Sequence, residues 1–182
     1  MNVSADAENR RMAVWRTFRA VLIAPVTVAV AIPTVITVAG GARALPALPT
    51  WLTLAAVLMG AVLIAVGVAL LSWTVWLFHI TGKGTLAPFD PPKRLVVRGP
   101  YRHVRNPMIT GVVSILFGEA LVLRSPGLLV WAVTFVLFNM IYFPLVEEPG
   151  LSKRFGPSYD EYRGNVPRWL PRARAWSQPA DR

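Results

Sequence analysis

The chain has 182 residues, of which 54% are hydrophobic and only 15% charged, and its formal net charge is +10. Soluble domains carry about 25% charged residues, so this composition argues against an ordinary soluble domain and against nucleic acid as the reason for the positive charge. The absence of cysteine excludes disulfides, thiolate metal ligands and a cysteine nucleophile.

Four apolar segments of the chain are candidates to cross a bilayer, which takes roughly 20 residues. They cover about residues 20–42, 51–80, 107–123 and 125–146. We therefore predict an all-α integral membrane protein, a single domain over residues 1–182, with four transmembrane helices and a cytoplasmic C-terminal amphipathic helical segment.

The first apolar segment has an alternative interpretation as a signal peptide. Arginines precede it, and an A-x-A sequence spans Ala42 to Ala44. The apolar core of a signal peptide is about 7–15 residues long, however, and this segment is longer. We favour a retained helix, kinked at Pro25 and Pro33, which a membrane helix tolerates.

Arginine and lysine are distributed asymmetrically about the four predicted spans. Seventeen of the 19 lie in the N-terminal arm, in residues 81–106 or after Val146, and only Arg43 and Arg124 lie in the other two connections. Positively charged loops remain in the cytoplasm. The pattern therefore predicts both termini in the cytoplasm and an even number of spans.

The sequence RGPYRHVRNPMITG, residues 98–111, joins the second and third spans on the cytoplasmic side. Asn106-Pro107 is typical of a helix N-cap followed by the first helical position. The third helix should therefore begin at the membrane surface with free N–H groups and a positive dipole end, which can bind a carboxylate or phosphate. Gly111 permits close approach to the backbone. A solvated loop explains the charges but not this arrangement of glycine and proline.

The second informative stretch is FPLVEEPGLSKRFGPSYDEYRGNVPRWLPR, residues 143–172, which contains two adjacent carboxylates. Glu147 and Glu148 follow the fourth span, where the helix dipole disfavours negative charge. Arginines of the preceding loop or a bound cation must therefore compensate. A helical face follows, broken at Arg154-Phe155-Gly156 into two short helices. An interfacial helix anchored by tryptophan and arginine is the alternative, but acidic and basic groups together favour a site for a ligand with both charges.

These two stretches together resemble the isoprenylcysteine carboxyl methyltransferases and the related phospholipid methyltransferases of membranes. The shared pattern is Arg-Asn-Pro with a glycine four positions after the proline, then, beyond a helical hairpin, paired glutamates, Phe-Gly, two tyrosines and Val-Pro. The resemblance covers roughly residues 95–171. It implies an integral membrane enzyme that uses S-adenosylmethionine in a cytoplasmic pocket and takes a lipophilic or amphiphilic substrate laterally from the bilayer.

On this resemblance the site residues are assigned by group. Arg105 and the N–H groups at the start of the third helix are candidates for the methionyl carboxylate, and Glu147 or Glu148 for the ammonium or ribose hydroxyls. The cofactor-binding candidates are Tyr101, Arg102, His103, Arg105, Asn106, Pro107, Met108, Gly111, Glu147, Glu148, Tyr159 and Tyr162. The catalytic candidates are Glu147, Glu148 and Arg105, and the substrate candidates are Arg163, Arg168 and Trp169.

Two departures from the family pattern bear on the substrate. Asn106 stands where many members have histidine, and Asn165 stands where the prenylcysteine enzymes have an arginine. A prenylcysteine substrate is therefore not favoured. A composition rich in alanine, valine, arginine and proline is also typical of a bacterial inner-membrane protein.

The alternatives are an NADPH-dependent membrane reductase related to sterol reductases and a non-catalytic membrane scaffold. The reductases have a larger set of helices, and no G-x-G-x-x-G motif is present. A scaffold leaves the glutamate pair and the proline-capped helix unexplained. With two histidines and no cysteine, no metal is expected. The expected partners are membrane lipids and a lipid-like substrate.

Overall fold

The computed structural model describes residues 25–41, 49–81 and 95–177, and every regular element in these ranges is helical. Helix α1 (Ile32–Ile36) lies between two π-helical turns, Thr27–Ala31 and Thr37–Gly41. The remaining elements are α2 (Thr50–Thr81), a 3-10 turn (Gly99–Arg102), α3 (Pro107–Val122), α4 (Pro126–Tyr142), a π-helical turn (Phe143–Glu147), α5 (Glu148–Phe155) and α6 (Pro157–Asn165). The all-α prediction is confirmed for the described residues.

Two continuous helical runs are long and apolar enough to cross a membrane, Thr50–Leu77 and Pro126–Phe155. The segments Thr27–Gly40 and Pro107–Val122 are apolar but shorter. Large apolar side chains such as Trp51, Leu58 and Phe138 are exposed on the two long runs, which suits contact with lipid. The four-span arrangement stays a prediction, and residues 20–24 and 42 of the first predicted span lie outside the described ranges.

Helices α2 and α3 approach each other so closely that glycine is required at their interface. A Cβ atom added to Gly67 would lie 2.6 Å from the carbonyl oxygen of Gly111, and one added to Gly118 would lie 2.7 Å from that of Gly60. Small residues allow membrane helices to pack backbone against backbone. The two helices therefore pack in direct backbone contact, and this contact fixes the position of the α3 N-terminus along α2.

The α1 segment and α4 pack on the opposite side of α3. Val112, Leu116 and Ala132 are almost completely buried in this core. The indole N–H of Trp131 donates to the carbonyl oxygen of Val28 at 3.1 Å. This bond satisfies a carbonyl where the π-helical turn departs from regular helix geometry.

Helices α5 and α6 form a second, smaller core below the helical bundle. As predicted, the chain breaks at Gly156, whose φ of 56° is left-handed and suits glycine. Tyr159, Tyr162 and Val166 are buried there against Leu95 and Trp176, among others. This core joins the segment before α3 to the C-terminal tail.

Candidate functional site

The loop before α3 is bound along its length to the C-terminal tail. Backbone N–H groups of Arg105, Arg172 and Trp176 donate to the carbonyl oxygens of Pro167, His103 and Arg102, at 2.9, 3.0 and 2.9 Å. The tail therefore runs antiparallel to the loop.

Two loop side chains add to this attachment. The guanidinium of Arg102 donates to the Trp176 carbonyl at 2.8 Å and to the Ser177 hydroxyl. His103 Nδ1 lies 2.8 Å from the carbonyl oxygen of Arg172. The two stretches singled out in the sequence thus form one structure.

Glu148 lies at the centre of this structure and is 4% exposed. Arg168 binds it with both arms of its guanidinium, Nε to Oε1 at 2.6 Å and Nη2 to Oε2 at 2.7 Å. Arg105 Nη1 lies 2.9 Å from Oε1 as a second ion pair. Arg105 of the loop and Arg168 of the tail therefore offset the charge of Glu148. The hydrogen bonds to Glu148 raise the pKa of Arg168.

Two buried donors, on Arg105 and on the residue that follows it, have no hydrogen-bond partner among the described residues. They are Arg105 Nε and Asn106 Nδ2, and the Arg105 side chain is only 10% exposed. Arg105 Nη1 faces Glu148 without hydrogen-bond alignment, so it too retains donor capacity. Buried donors without acceptors are costly, so their presence indicates that an anionic or strongly polar group belongs here.

Asn106 occupies the predicted N-cap position, but its side chain does not cap α3. Its carbonyl oxygen accepts from the Thr110 N–H and the Thr110 hydroxyl, both at 3.0 Å. Pro107 is the first residue of the helix, as predicted. The amide of Asn106 is consequently left for another partner.

The tyrosines connect the loop to α6. The Tyr162 hydroxyl donates to the carbonyl oxygen of Tyr101 at 2.7 Å. Burial raises the pKa of the Tyr162 and Tyr101 hydroxyls, so both stay protonated at ordinary pH. Burial also raises the pKa of Tyr159, while a hydrogen bond from Arg105 lowers it. Tyr159 therefore helps to hold Arg105 in place through this hydrogen bond.

The other predicted site residues are more dispersed. Glu147 is half-buried and makes no hydrogen bond with the described residues, and Met108 is half-buried in the first turn of α3. Gly111 contacts Gly67 of α2, Trp169 meets the ring of Phe143 edge-on at 5.6 Å, and Arg163 is exposed on α6. Their proposed roles stay predictions.

A cavity of about 380 Å³ lies beside the loop that precedes α3. Leu70 and Trp73 of α2, Arg102 and His103 of the loop and Thr110 of α3 contribute to its lining, with Pro171 and Ala175 of the tail. The sequence analysis did not anticipate that α2 contributes to this lining, since the two α2 residues concerned, Leu70 and Trp73, are apolar.

Comparison with known proteins assigns the chain to a family. The family model for phospholipid methyltransferase matches residues 55–158, which contain most of α2, all of α3 and α4, and both Arg105 and Glu148. The chain belongs to the phospholipid methyltransferase family. The resemblance noted from the two sequence stretches is confirmed for this family.

A curated relative is similar over part of the chain. It is a phosphatidylethanolamine N-methyltransferase of Pyrenophora tritici-repentis (strain Pt-1C-BFP), 33% identical over 99 residues, which are 51% of this chain and 11% of the relative. The chain therefore matches about a ninth of the relative's length. No solved structure matches the chain. Arg168, which completes the Glu148 cluster, lies beyond the residues matched by the family model.

Proposed function

We propose that the chain is an S-adenosylmethionine-dependent methyltransferase that acts on the amine headgroup of a membrane phospholipid at the cytoplasmic face. One observation carries the proposal: buried donors without partners, on Arg105 and Asn106, lie beside a buried glutamate at the N-terminus of α3. The printed activity of the fungal relative, phosphatidylethanolamine N-methylation, supports an amine acceptor.

The donor set suits the amino-acid end of S-adenosylmethionine. Arg105 Nε, Asn106 Nδ2 and the N–H groups in the first turn of α3, which have no partner within the helix, are matched to a carboxylate. Glu147 is the proposed acceptor for the ammonium, because Glu148 is already bound by two arginines. Arg168 thus serves the site by holding Glu148, and Glu148 by orienting Arg105.

The residues perform binding, orientation and exclusion of water. The bound cofactor supplies an electrophilic methyl group, and methyl transfer requires a nucleophile aligned behind it. The tail bonded over the loop excludes water from the cluster, which strengthens each charge interaction within it. The exposed apolar surface of α2 and α4 faces lipid, from which the substrate enters.

We further propose four membrane spans with both termini in the cytoplasm of a bacterial cell. The α1 segment, α2, α3 and the Pro126–Phe155 run would then cross or enter the bilayer, and the loop and tail would meet at one membrane face. The arginine and lysine distribution supports this orientation.

The test is calorimetric binding of S-adenosylhomocysteine to the purified protein in detergent. Asn106→Ala removes one unpartnered donor and breaks no side-chain hydrogen bond within the described chain, so the fold should persist. A hydrogen bond to a charged group is worth about 1.5–3 kcal/mol, so affinity should fall at least about tenfold. Asn165→Ala, on exposed α6, is the matched control and should bind as wild type.

A well-folded wild type that binds no S-adenosylhomocysteine would overturn the proposal. Equal affinity in Asn106→Ala and wild type would mean that the cofactor carboxylate does not bind at the N-terminus of α3. Transfer of labelled methyl to phosphatidylethanolamine in mixed micelles then tests the acceptor.

A further inference from the structure

His103 is held in a single orientation at the cavity on the α2 side of the loop. Its Nδ1 atom lies 2.8 Å from the Arg172 carbonyl oxygen. A carbonyl oxygen only accepts, so Nδ1 must carry the hydrogen. In the neutral ring Nε2 is then a proton acceptor.

Nε2 is open to a ligand. It makes no hydrogen bond to the described residues, and it is not among the buried atoms without a partner. The cavity that His103 lines, about 380 Å³, lies within the range of small-ligand sites, roughly 300–1,000 Å³. Its α2 wall, Leu70 and Trp73, is apolar.

The cavity borders the residues of the proposed cofactor site. Thr110 lines the cavity, and its hydroxyl donates to the backbone carbonyl oxygen of Asn106 at 3.0 Å. Asn106 and Arg105 in turn carry the unpartnered donors. One short segment, residues 102–110, therefore contributes both to the cavity lining and to the proposed cofactor site.

We infer that His103 Nε2 is the general base for the amine of the acceptor phospholipid, an inference that rests on the proposed function. An alkyl ammonium such as that of lysine has a pKa of about 10.4, so the headgroup enters protonated and is not a nucleophile. Nε2 takes one proton from the ammonium. The freed nitrogen lone pair forms the bond to the methyl carbon while the carbon–sulfur bond breaks and its electrons stay on sulfur. The imidazolium then loses its proton to water.

The test compares wild type with His103→Asn. The asparagine amide can still donate to the Arg172 carbonyl and hold the tail, but it has no basic nitrogen. His103→Gln is the second variant, in case the asparagine is too short. Three measurements are made: S-adenosylhomocysteine affinity, kcat/KM for phosphatidylethanolamine across pH, and the imidazole nitrogen resonances.

If His103 acts as the base and not as a cofactor ligand, the role that the resemblance implied for it, the variants should bind S-adenosylhomocysteine within about twofold of wild type. General bases contribute about 10²–10⁴ in rate, so kcat/KM near pH 7 should fall at least about 100-fold. As the pH rises, kcat/KM of wild type should reach a plateau. In the variant the logarithm of kcat/KM should instead rise by one for each pH unit until the pH reaches the pKa of the amine. The charged residues of the loop and tail, Arg98, Arg102, Arg105, Arg172 and Arg174, are the same in both proteins. Among the described residues, α2 and α3 contribute Leu70, Trp73 and Thr110 to the cavity lining.

The imidazole spectrum tests the tautomer without any turnover. The chain has two histidines, His79 and His103, so one variant of each assigns both resonances. Wild-type His103 should carry its hydrogen on Nδ1, and a hydrogen on Nε2 in the neutral ring would overturn the inference.

The remaining outcomes separate this inference from the proposed function. Loss of S-adenosylhomocysteine binding in both variants would make the cavity part of the cofactor site and overturn the role as base. An unchanged pH profile would also overturn it. Wild type that binds S-adenosylhomocysteine but methylates no amine lipid would remove this inference and the proposed amine acceptor but keep the cofactor site, and wild type that binds none would remove the whole proposed function.

Discussion

Glu147 and Glu148 are adjacent in the sequence but have different surroundings. Glu148 is buried between Arg105 and Arg168, whereas Glu147 is half-buried and has no ion pair with the described residues. Their order in the sequence does not separate them, because a helix turns by about 100° per residue and its orientation about its own axis depends on the packing of α5. The pair therefore divides into a structural carboxylate and one available to a ligand.

Glu148→Gln should destabilise the protein by about 3 kcal/mol, because it leaves two largely buried arginines without their counter-charge. Glu147→Gln is the matched control and should leave stability close to that of wild type. Thermal unfolding in detergent measures both. A stable Glu148→Gln variant would mean that the ion pairs are open to water.

Tyr162→Phe should cost about 1 kcal/mol, because it removes one buried hydrogen bond to the Tyr101 carbonyl and keeps the ring. Burial raises the pKa of Tyr162 in the folded state above the ordinary 10.0. The stability that depends on the protonated hydroxyl is therefore present below about pH 10 and lost as pH rises further. The difference between the two proteins should narrow above pH 10 in melting curves recorded from pH 8 to 11, and a constant difference would contradict the prediction.

At the scale of elements, the contact between α2 and α3 depends on glycines at intervals of seven residues: Gly60 and Gly67 on one helix, Gly111 and Gly118 on the other. Gly111 was predicted to admit a ligand, and the structure places α2 against it. The ligand role was inferred from the loop alone, since the sequence does not specify which helix lies beside α3. The helix boundaries at Pro107 and Gly156, by contrast, followed directly from the sequence.

Gly67→Val should separate α2 from α3, because its Cβ alone would lie 2.6 Å from the Gly111 carbonyl oxygen. We expect loss of monodisperse folded protein in size-exclusion chromatography. Gly164→Ala on α6 is the control, since a Cβ there meets nothing within 4 Å. Its melting temperature should stay the same or rise slightly, as alanine favours a helix. Normal folding of Gly67→Val would contradict this packing.

At the scale of the molecule, the sequence indicated the membrane class, the helical content and the two stretches that form the site. Each of these rests on local information: apolar length, charge sign, and proline or glycine position. It did not indicate that the tail continues to Ser177 along the loop, nor that α2 forms one wall of a cavity. Both depend on contacts between residues more than 30 positions apart, which no local pattern records.

The four-span orientation predicts the side of the membrane on which each connection lies. The chain has no cysteine, so single cysteines can be placed at Thr50 and Lys153, both exposed. In intact spheroplasts an impermeant maleimide should label Thr50→Cys and not Lys153→Cys. The reverse labelling would invert the topology, and labelling of both would contradict the three predicted spans between these two positions.

The bonds between the loop and the tail, described above as geometry, also impose an order of events during synthesis. Residues 98–106 leave the ribosome long before residues 167–177, to which they bind. Until the tail is made, Arg105 has neither Glu148 nor the neighbouring backbone in place. The cluster of Arg105, Glu148 and Arg168 is therefore completed last, after the apolar helices have left the ribosome.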